Sequence, residues 1–368
     1  MPYNAPKKFQ PFELGQICSR LSSGKGISAE EISDKGTFPV YGGNGLRGYS
    51  EKKNFEGQCA IVGRQGAFCG NVRYFSGEAY MTEHAIVVCA NEKSDTRYLS
   101  YVLGTMALGR LSGQSAQPGL SVKTLSKQII LLPDVNTQRR IASLLALFDE
   151  KIALNAQINQ NLEAQAQAIF KSWFVDFDPF RNGKFVDSEL GPIPVGWRSG
   201  TLKEMLDIRY GKDHKRLSDG TIPVYGSGGL MRLADKALYS GESVLIPRKG
   251  TLNNVMRVSG DFWTVDTMFY SVPKCEGAIK FAFHILRNMD LASMNSGSAV
   301  PSMTTDILNA IDIVIPPQSV LASFEETTNA LWNLYGANLK ESNRLASLRD
   351  TLLPKLMSGE IDVSEIEV

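Results

Sequence analysis

The sequence lacks long apolar runs and paired cysteines. No stretch of about 18 apolar residues occurs in the 368-residue chain, so no membrane span is expected. The polar N-terminus also lacks the apolar core of an export signal. None of the five cysteines forms a CxxC pair, which favours buried reduced thiols over zinc ligands or disulfides. Together these absences predict a cytoplasmic protein. The cysteines are Cys18, Cys59, Cys69, Cys89 and Cys275.

Catalytic signatures are missing as well. The Gly-Lys pairs that begin at Gly24 and Gly211 do not stand in the full pattern of a phosphate-binding P-loop. The three histidines, His84, His214 and His284, are too dispersed to suggest a zinc site. Residues 175–184, VDFDPFRNGK, have the acids and lysine of a nuclease site, but they lie in a connector beside a helix end. We therefore expect a chain without catalytic activity of its own.

The most informative feature that is present is a long internal repeat. The stretch FPVYGGNGLRGYS begins at Phe38, and IPVYGSGGLMRLA begins at Ile222, half a chain later. The match continues with one gap, so that Arg64 aligns with Arg248 at an offset near 183 residues. This period is too long for a solenoid. It predicts two similar domains in tandem.

Each copy combines strand and helix patterns. Short apolar runs such as CAIVG, HAIVVCA, SVLIP and MFYSV have the length and composition of strands. One helix per copy is expected, near residues 96–104 and 277–288. Each copy ends in a strand, QIILLP or IDIVIPP, which prolines terminate. The prediction is an α+β protein with two mixed α/β domains.

A different pattern follows each copy. Residues 136–174 contain no glycine or proline, and apolar residues recur there at the spacing of a coiled-coil seam. The same seam returns 183 residues later, and Pro354 is expected to end or kink that second helix. Each helix should run for about 38 residues, roughly 57 Å. The seam consists of Ile141, Leu145, Phe148, Ile152, Asn155, Asn159, Leu162, Ala166, Ile169 and Trp173, repeated as Phe324, Thr328, Leu331, Tyr335, Asn338, Ser342, Leu345, Arg349, Leu352 and Leu356.

The two helices are predicted to pair as an antiparallel coiled coil in a pseudo-twofold arrangement. In that register Asn155 would face Asn338, and such buried polar residues often fix the register. A dimerisation rod between two chains is the alternative. An intramolecular spacer fits better, because both helices belong to one chain.

These patterns divide the chain into four segments. The first domain is assigned to residues 1–135 and its helix to 136–178; the second domain is assigned to 179–319 and its helix with the tail to 320–368. Their net charges are +4, −1, +2 and −4 in that order. The basic domains could therefore bind an anionic ligand, while the helices bind a different partner.

Three unusual strings point to a known family. They are IFKSWFVDFDPF from Ile169, LGPIPVGWRSGTLKEM from Leu190 and LRDTLLPKLMSGEIDV from Leu348. The chain resembles the DNA-specificity subunits of type I restriction-modification systems in these strings, in their order and in the duplicated plan. The first domain departs from the family pattern, because FQPFELGQI stands where an IPxGW string is usual.

The resemblance implies a non-catalytic subunit that binds double-stranded DNA with a bipartite target. Each target-recognition domain would read one half, and the helices would set the spacing and dock two methyltransferase subunits. Nuclease-translocase subunits would join them for restriction. S-adenosylmethionine, ATP and magnesium would then belong to these partners, with no cofactor bound by this chain.

The loops shared by both copies are the predicted DNA contacts, since loops carry function on a rigid scaffold. Arginine can pair with guanine and glutamine with adenine. In the first domain the candidates are Tyr41, Asn44, Arg47, Arg64, Gln65, Gln114, Ser115 and Gln117. In the second they are Tyr225, Ser227, Arg232, Arg248, Lys249, Asn295, Ser296 and Ser298, with the basic cluster Lys212, His214, Lys215 and Arg216. The alternatives are ordinary hairpins, core tyrosines and solvated basic faces.

Two further alternatives stay open at this stage. Trp173 and Phe174 would either anchor a partner protein or cap the helix pair against a domain. The rival function is a structural adaptor whose two domains bind proteins or glycans. DNA affinity that falls steeply with salt would separate a specificity subunit from such an adaptor. A degenerate subunit that cannot pair with a methyltransferase is the third possibility.

Overall fold

The computed structural model describes residues 9–112, 119–294 and 302–364. The chain forms two compact units, one of Met1–Asn155 with Leu339–Val368 and the other of Ala156–Asn338. Each unit thus contains one mixed α/β domain and a part of each long helix. Within the described ranges, no helix is long and apolar enough to cross a membrane.

The domain of the first unit is built on a six-stranded sheet with the order β2-β7-β5-β6-β3-β4. A separate antiparallel pair joins β1 to β8. The elements are β1 (Gln10–Glu13), β2 (Cys18–Ser23), β3 (Phe38–Gly42), β4 (Gly45–Ser50), β5 (Phe55–Gly63), β6 (Val72–Met81), β7 (Ala85–Ala90), α1 (Thr96–Thr105), α2 (Val122–Ser126) and β8 (Ile129–Leu132), followed by the long helix α3 (Val135–Phe174).

The domain of the second unit repeats this plan with shorter strands. Its two four-stranded sheets have the orders β12-β19-β16-β17 and β14-β13-β18-β15, and two small pairs join β10 to β9 and β11 to β20. The elements are β9 (Phe185–Val186), β10 (Ile193–Pro194), β11 (Arg198–Thr201), α4 (Leu202–Met205), β12 (Leu206–Tyr210), β13 (Ile222–Gly226), β14 (Gly229–Ala234), β15 (Tyr239–Ser240), β16 (Ser243–Pro247), β17 (Met256–Val258), β18 (Asp261–Thr264), β19 (Met268–Pro273), α5 (Ala278–Asn288), α6 (Thr305–Asn309) and β20 (Asp312–Ile315), followed by the long helix α7 (Gln318–Ser358).

A pair of facing glycines lies where the single sheet of the first unit corresponds to two sheets in the second. In the first unit Gly57 lies opposite Gly77, and β5 and β6 continue through the pair. In the second unit the backbones of Gly241 and Gly260 exchange hydrogen bonds of 3.1 and 3.2 Å, and the strands are interrupted there. All four have positive φ, which a residue with a Cβ adopts only with strain. The same facing pair of positive-φ glycines therefore occurs in both domains.

The predicted strands and main helices are confirmed, with additions. The four apolar runs lie in β5, β7, β16 and β19, and the terminal strands are β8 and β20. The expectation of one helix per copy was wrong, because a short helix, α2 or α6, precedes each terminal strand. Ser121 and Thr304 cap these helices by accepting hydrogen bonds from Thr124 N and Ile307 N. Five-residue helices are too short for an apolar period to reveal them.

The long helices have the predicted apolar stripe. Every seam residue is buried or half-buried. Helix α3 ends at Phe174, four residues before the end of the segment 136–178 that was assigned to it. Helix α7 does not end at Pro354 but continues to Ser358, after which Gly359 adopts a positive φ. A proline near the last turn removes only one hydrogen bond, so the end of the helix tolerates it.

Within each unit the helix segments run antiparallel. In the first unit Arg349 donates to Asp149 at 2.6 Å, and Leu356 packs in the same apolar cluster as Ile141. In the second unit Phe170 and Phe324 are 6.2 Å apart between ring centroids. In both units, later residues of α3 therefore contact earlier residues of α7.

The polar seam residues have partners within their own units. Asn155 donates to Glu341 Oε2 at 2.7 Å, and Asn338 donates to Asn159 Oδ1 at 2.9 Å. Asn159 in turn donates to the Tyr335 carbonyl at 3.2 Å. Asn159 is therefore a hydrogen-bond partner of Asn338 within the second unit. The direct juxtaposition of Asn155 and Asn338 stays a prediction.

Each domain is joined to a long helix of its own unit by a polar contact. The Tyr101 hydroxyl of α1 donates to Asp149 of α3 at 2.5 Å. In the second unit, Lys280 of α5 is 2.9 Å from Glu325 of α7 and also donates to Asn329. Lys280 is only 2% exposed. These contacts orient the main helix of each domain, because a buried polar group is costly unless its partner is in place.

The cysteines lie in apolar surroundings and none forms a disulfide. Burial raises the pKa of the Cys18 and Cys59 thiols to about 12, and the neighbouring Cys89 adds to the rise in both. Such thiols stay protonated and unreactive at neutral pH. The expectation of buried reduced thiols is confirmed for Cys59, whereas Cys18 is half-buried.

Candidate nucleic-acid interface

The first candidate surface is the β3–β4 hairpin. Gly42 pairs with Gly45, and the intervening Gly43 and Asn44 form a two-residue turn. Gly45 has a φ of 105°, which favours glycine at the point where the second strand begins. The register shifts after Val40, so one extra residue bulges from β4. That residue is Arg47, and its exposed side chain is aimed by the bulge.

The second unit repeats the hairpin, with one correction to the predicted counterparts. Tyr225 pairs with Leu230 and Val224 with Arg232, so the bulged residue equivalent to Arg47 is Met231. Arg232 instead donates to the carbonyls of His214 and Leu217, at 3.3 and 2.6 Å. Arg232 therefore holds the preceding loop in place. The quoted repeat also aligns Arg47 with Met231, so the choice of Arg232 followed the residue type and departed from the alignment by one position.

The two aligned arginines have the same anchoring. The Arg64 N–H donates to the His84 carbonyl at 2.9 Å, and its Nη1 donates to the Glu83 carbonyl at 3.3 Å. The Arg248 N–H donates to the Thr267 carbonyl at 2.8 Å, and its Nη1 donates to the Asp266 carbonyl at 3.3 Å. Neither guanidinium forms an ion pair with a carboxylate in the described ranges. The Nε–Nη2 edge of each is thus left for a ligand.

The hairpin turn and the arginine loop lie together in both units. In the first unit a Cβ on Gly43 would lie 2.9 Å from the His84 carbonyl and 3.5 Å from the Arg64 nitrogen. In the second unit Asn254 donates to the Ser227 carbonyl at 2.8 Å, which ties the turn to the loop after Arg248. The repeat therefore brings the same two loops into one surface twice.

The residues after the arginines differ between the units. Gln65 is exposed and lies 3.1 Å from His84 Nδ1. Its counterpart Lys249 is exposed and lies beside Arg248, whose guanidinium is 5.4 Å from the ring centroid of Tyr210. An amide in one unit and an ammonium in the other offer different hydrogen bonds to a ligand. The two surfaces share geometry and differ in chemistry.

Tyr41 and Tyr225 support the hairpins from below. Tyr41 packs against Phe75 with ring centroids 5.0 Å apart, and Tyr225 packs against the apolar cluster around Val224. Burial raises the pKa of both phenols. Much of each ring is thus packed in the core, as the alternative interpretation of these tyrosines predicted, although both remain partly exposed.

The basic cluster of the second unit lies in the loop between β12 and β13. Lys212, Lys215 and Arg216 are exposed, and His214 is half-buried. In the described ranges none of the three exposed cations has an ion-pair partner. The loop is fixed by the Trp263 indole, which donates to the Lys212 carbonyl at 2.9 Å. A positive, held loop of this kind suits phosphate contacts.

Six predicted residues lie outside the described residues: Gln114, Ser115, Gln117, Asn295, Ser296 and Ser298. The residues that follow them return to the arginine loops in both units. The Leu120 N–H donates to the Arg64 carbonyl at 2.8 Å, and the Met303 N–H donates to the Arg248 carbonyl at 2.9 Å. Both domains therefore share this backbone hydrogen bond to the carbonyl of the aligned arginine.

Phe174 does not have the exposure that a partner anchor needs. Its side chain is 8% exposed and belongs to the main apolar cluster of the second unit. This corrects the partner-binding prediction for Phe174, because its ring is occupied by contacts within the domain. Trp173 is partly exposed, and its role as an anchor stays a prediction.

Sequence reasoning missed two exposed leucines and one arginine. Leu46 and Leu230, 51% and 59% exposed, occupy the same position beside the hairpin turn in both units. Arg73 lies under the first hairpin, where its Nη2 donates to the Asn44 carbonyl at 3.3 Å. The alignment places Leu46 on Leu230, so identity at an exposed position was the available signal. Nothing in the sequence places Arg73 beside residue 44.

Comparison with known families decides what this duplicated surface belongs to. The family model described as the type I restriction modification DNA specificity domain matches residues 6–164 and 194–320. The chain belongs to the type I restriction-modification DNA-specificity family. The matched ranges contain the hairpins and arginine loops of both domains. Among the described residues of this family member, no group of three or more His, Cys, Asp or Glu is arranged to hold a metal ion.

Several members of the specificity family are similar to this chain. The EcoprrI specificity subunit of Escherichia coli is 38% identical over 37% of this chain and 35% of its own length. The MjaIX specificity subunit of Methanocaldococcus jannaschii is 28% identical over 74% of this chain and 70% of its own length. A putative type I specificity subunit of Mycoplasma pneumoniae, S.MpnORF507P, is 21% identical over 94% and 89%.

A solved structure has the same fold. The S subunit of a type I restriction-modification system from M. genitalium superimposes with a TM-score of 0.61 at 17% identity, covering 97% of each chain. At this identity the likeness concerns the fold of the specificity family alone.

Proposed function

We propose that this chain is the non-catalytic subunit that gives a type I restriction-modification complex its DNA sequence specificity. Each domain reads one half of a bipartite target in double-stranded DNA. The hairpin turn and the arginine loop of each domain contact the bases and the backbone of its half-site.

The observation that carries this proposal is the repeated anchoring of Arg64 and Arg248. Both arginines are fixed by the same two carbonyl contacts and keep one guanidinium edge for a ligand. Arginine with a free planar edge is well suited to the O6 and N7 atoms of guanine. The neighbouring Gln65 and Lys249 differ, which fits two domains that read different half-sites.

The long helices supply the second part of the proposed function. They pair as a coiled coil, set the distance between the half-sites and dock two methyltransferase subunits. Nuclease-translocase subunits join the complex for restriction. S-adenosylmethionine, ATP and magnesium are bound by these partner subunits, which perform the chemistry. A fixed protein spacer makes the gap between half-sites a geometric constant.

Methylome sequencing tests the function directly. A host that expresses this chain with its methyltransferase subunit should acquire methylation at one two-part, asymmetric motif. The motif should vanish when only this chain is deleted. A soluble complex that methylates no such motif would contradict the proposal and indicate a degenerate subunit. Failure to form any complex, together with DNA binding that does not respond to salt, would instead favour the adaptor.

Replacing the two arginines one at a time tests the division of labour. We expect Arg64→Ala to relax or abolish recognition of one half-site and Arg248→Ala to affect only the other. Loss of a bidentate contact to guanine costs about 1–3 kcal/mol, or roughly 5- to 150-fold in discrimination. The readout is the fraction of each motif variant that becomes methylated, and each variant is the matched control for the other.

Two results would count against this assignment of the arginines. One is an equal loss of methylation across all sequences, since that is the behaviour of a phosphate contact. The other is a change in both half-sites from a single substitution. Far-UV circular dichroism of each purified variant separates these outcomes from misfolding.

A further inference from the structure

A cleft in the first unit lies beside the proposed reading surface and outside it. It encloses about 620 Å³ between the start of β6 and the segment after α1. Its lining residues are Cys69, Gly70, Asn71, Val72, Arg73, Gly104, Ala107, Leu108, Gly109 and Arg110. The close packing of the backbones around Gly70 and Gly109 forms its floor, since a Cβ on Gly70 would overlap Gly109.

Two arginines give the cleft its charge. The Arg73 and Arg110 side chains are both exposed, and neither forms an ion pair with a carboxylate within the described ranges. Arg73 also donates to the Asn44 carbonyl, so it is held between the cleft and the hairpin turn. No Asp or Glu is among the lining residues. Two unneutralised guanidinium groups in one concave site attract an anion.

The second unit has no such charge at the same place. The alignment of Asn71 with Asn254 puts Met256 in the position of Arg73. The buried leucines Leu108 and Leu291 then align at the same offset, which puts Ser293 in the position of Arg110.

An acidic residue also stands at this place in the second unit. Asp290 replaces Ala107, and its carboxylate accepts a hydrogen bond from Asn253 at 3.0 Å. That hydrogen bond is the main cause of the lowered pKa of Asp290. The carboxylate is therefore ionised at neutral pH and repels an anion.

We propose that the Arg73–Arg110 cleft binds the phosphodiester backbone of DNA next to the first half-site, with no equivalent contact in the second domain. This inference rests on the proposed function. Phosphate contacts position a protein on the duplex and carry no base information. The cleft therefore adds affinity and salt sensitivity to one end of the bipartite target, while the hairpin and Arg64 supply the sequence reading.

The salt dependence of DNA binding tests this proposal. The Kd of the full chain, with its methyltransferase subunit, is measured for a duplex that contains the methylated motif over a range of NaCl concentrations. Each lost phosphate contact reduces the slope of log K against log salt by about 0.9. We expect the double variant Arg73→Ala/Arg110→Ala to reduce the slope by about 1.8 while the methylated motif stays the same.

Matched variants separate charge from structure. Arg73→Lys/Arg110→Lys keeps both positive charges and should retain the slope, since lysine binds phosphate as a point charge. Lys127→Ala removes an exposed cation of the same domain, between α2 and β8, and should leave the slope unchanged. Arg110→Ala alone, which spares the contact of Arg73 with the hairpin, should reduce the slope by about half as much as the double variant.

Two results would contradict the proposal for the cleft and leave the proposed function of the chain intact. One is a double variant that binds DNA with the wild-type slope. The other is ATP binding, measured by calorimetry, that the double variant loses while its DNA slope is unchanged; the cleft would then hold a free nucleotide. A wild-type complex that binds no DNA would overturn the proposed function, and the cleft inference with it.

Discussion

Phe174→Ala should destabilise the second unit by about 3–5 kcal/mol, the usual cost of removing a buried phenyl ring. The ring of Phe174 lies 4.9 Å from that of Phe281, 5.0 Å from Phe324 and 5.8 Å from Trp197 between centroids. These neighbours belong to α5, to α7 and to the connection between β10 and β11. One side chain at the end of α3 therefore holds three parts of the unit together, and alanine would leave a cavity among them.

Tryptophan fluorescence measures the loss of stability in the second unit. All four tryptophans, Trp173, Trp197, Trp263 and Trp332, belong to the second unit. A urea titration followed by their emission reports on that unit alone, which matters because a chain of two units need not unfold in one step. We expect the transition of Phe174→Ala to move to lower urea, and the half-site assigned to the second domain to lose methylation first.

The neighbouring Trp173 is the matched control. Its side chain is partly exposed, so Trp173→Ala should cost less stability than Phe174→Ala. If Phe174 were a partner anchor, its alanine variant would unfold like the wild type and fail to co-purify with the methyltransferase. That outcome would restore the partner-binding hypothesis for Phe174.

The sequence predicted the parts of the fold that depend on period and repetition. The 183-residue offset gave two domains, and the apolar stripe gave both long helices, because every seam residue must be shielded from water. The aligned loops also placed Arg64 and Arg248 at equivalent positions. Each of these inferences uses local spacing or comparison of one copy with the other.

The rest depends on tertiary contacts that leave no local signal. Arg232 donates to the carbonyls of His214 and Leu217, and no sequence pattern indicates those contacts. Phe174 was interpreted as an exposed anchor, because the sequence does not show whether a domain buries an aromatic residue at a helix end. Arg73 and Arg110 are 37 positions apart, and only the fold brings them to one cleft.

The largest pH effect is expected at His284, which is 0% exposed in the core of the second unit. Its Nδ1 lies 2.7 Å from Gln167 Oε1, and its ring is stacked on Phe170. The amide oxygen accepts a hydrogen bond from Nδ1–H, so Nε2 carries no proton in the neutral ring. Burial lowers the pKa of His284 to about 3, and the positive charge of Arg257 adds to the shift. The imidazole of His284 therefore stays neutral in the folded protein, whereas in the unfolded chain it titrates near its ordinary pKa.

Acid should therefore destabilise the second unit. The unfolded histidine binds a proton as the pH falls below about 6.5, while the folded one stays neutral down to about 3. The unfolded state binds more protons in this window, so stability is complete above pH 6.5 and decreases by about 1.4 kcal/mol per pH unit below it. From pH 6.5 to pH 4.5 the expected loss from this one group is about 2–3 kcal/mol.

His284→Phe isolates that contribution, because phenylalanine keeps an aromatic ring among Phe170, Phe283 and Trp332 and removes the titrating nitrogen. Urea titrations at several pH values between 7 and 4.5, again followed by tryptophan emission, compare the variant with the wild type. At pH 7 the variant loses the hydrogen bond to Gln167, so we expect its stability to be lower there by about 1 kcal/mol. As the pH falls the difference should reverse, since only the wild type gains a proton on unfolding. Parallel stability curves for the two proteins would mean that His284 titrates in the folded unit as it does in the unfolded chain, and that burial and Arg257 do not lower its pKa.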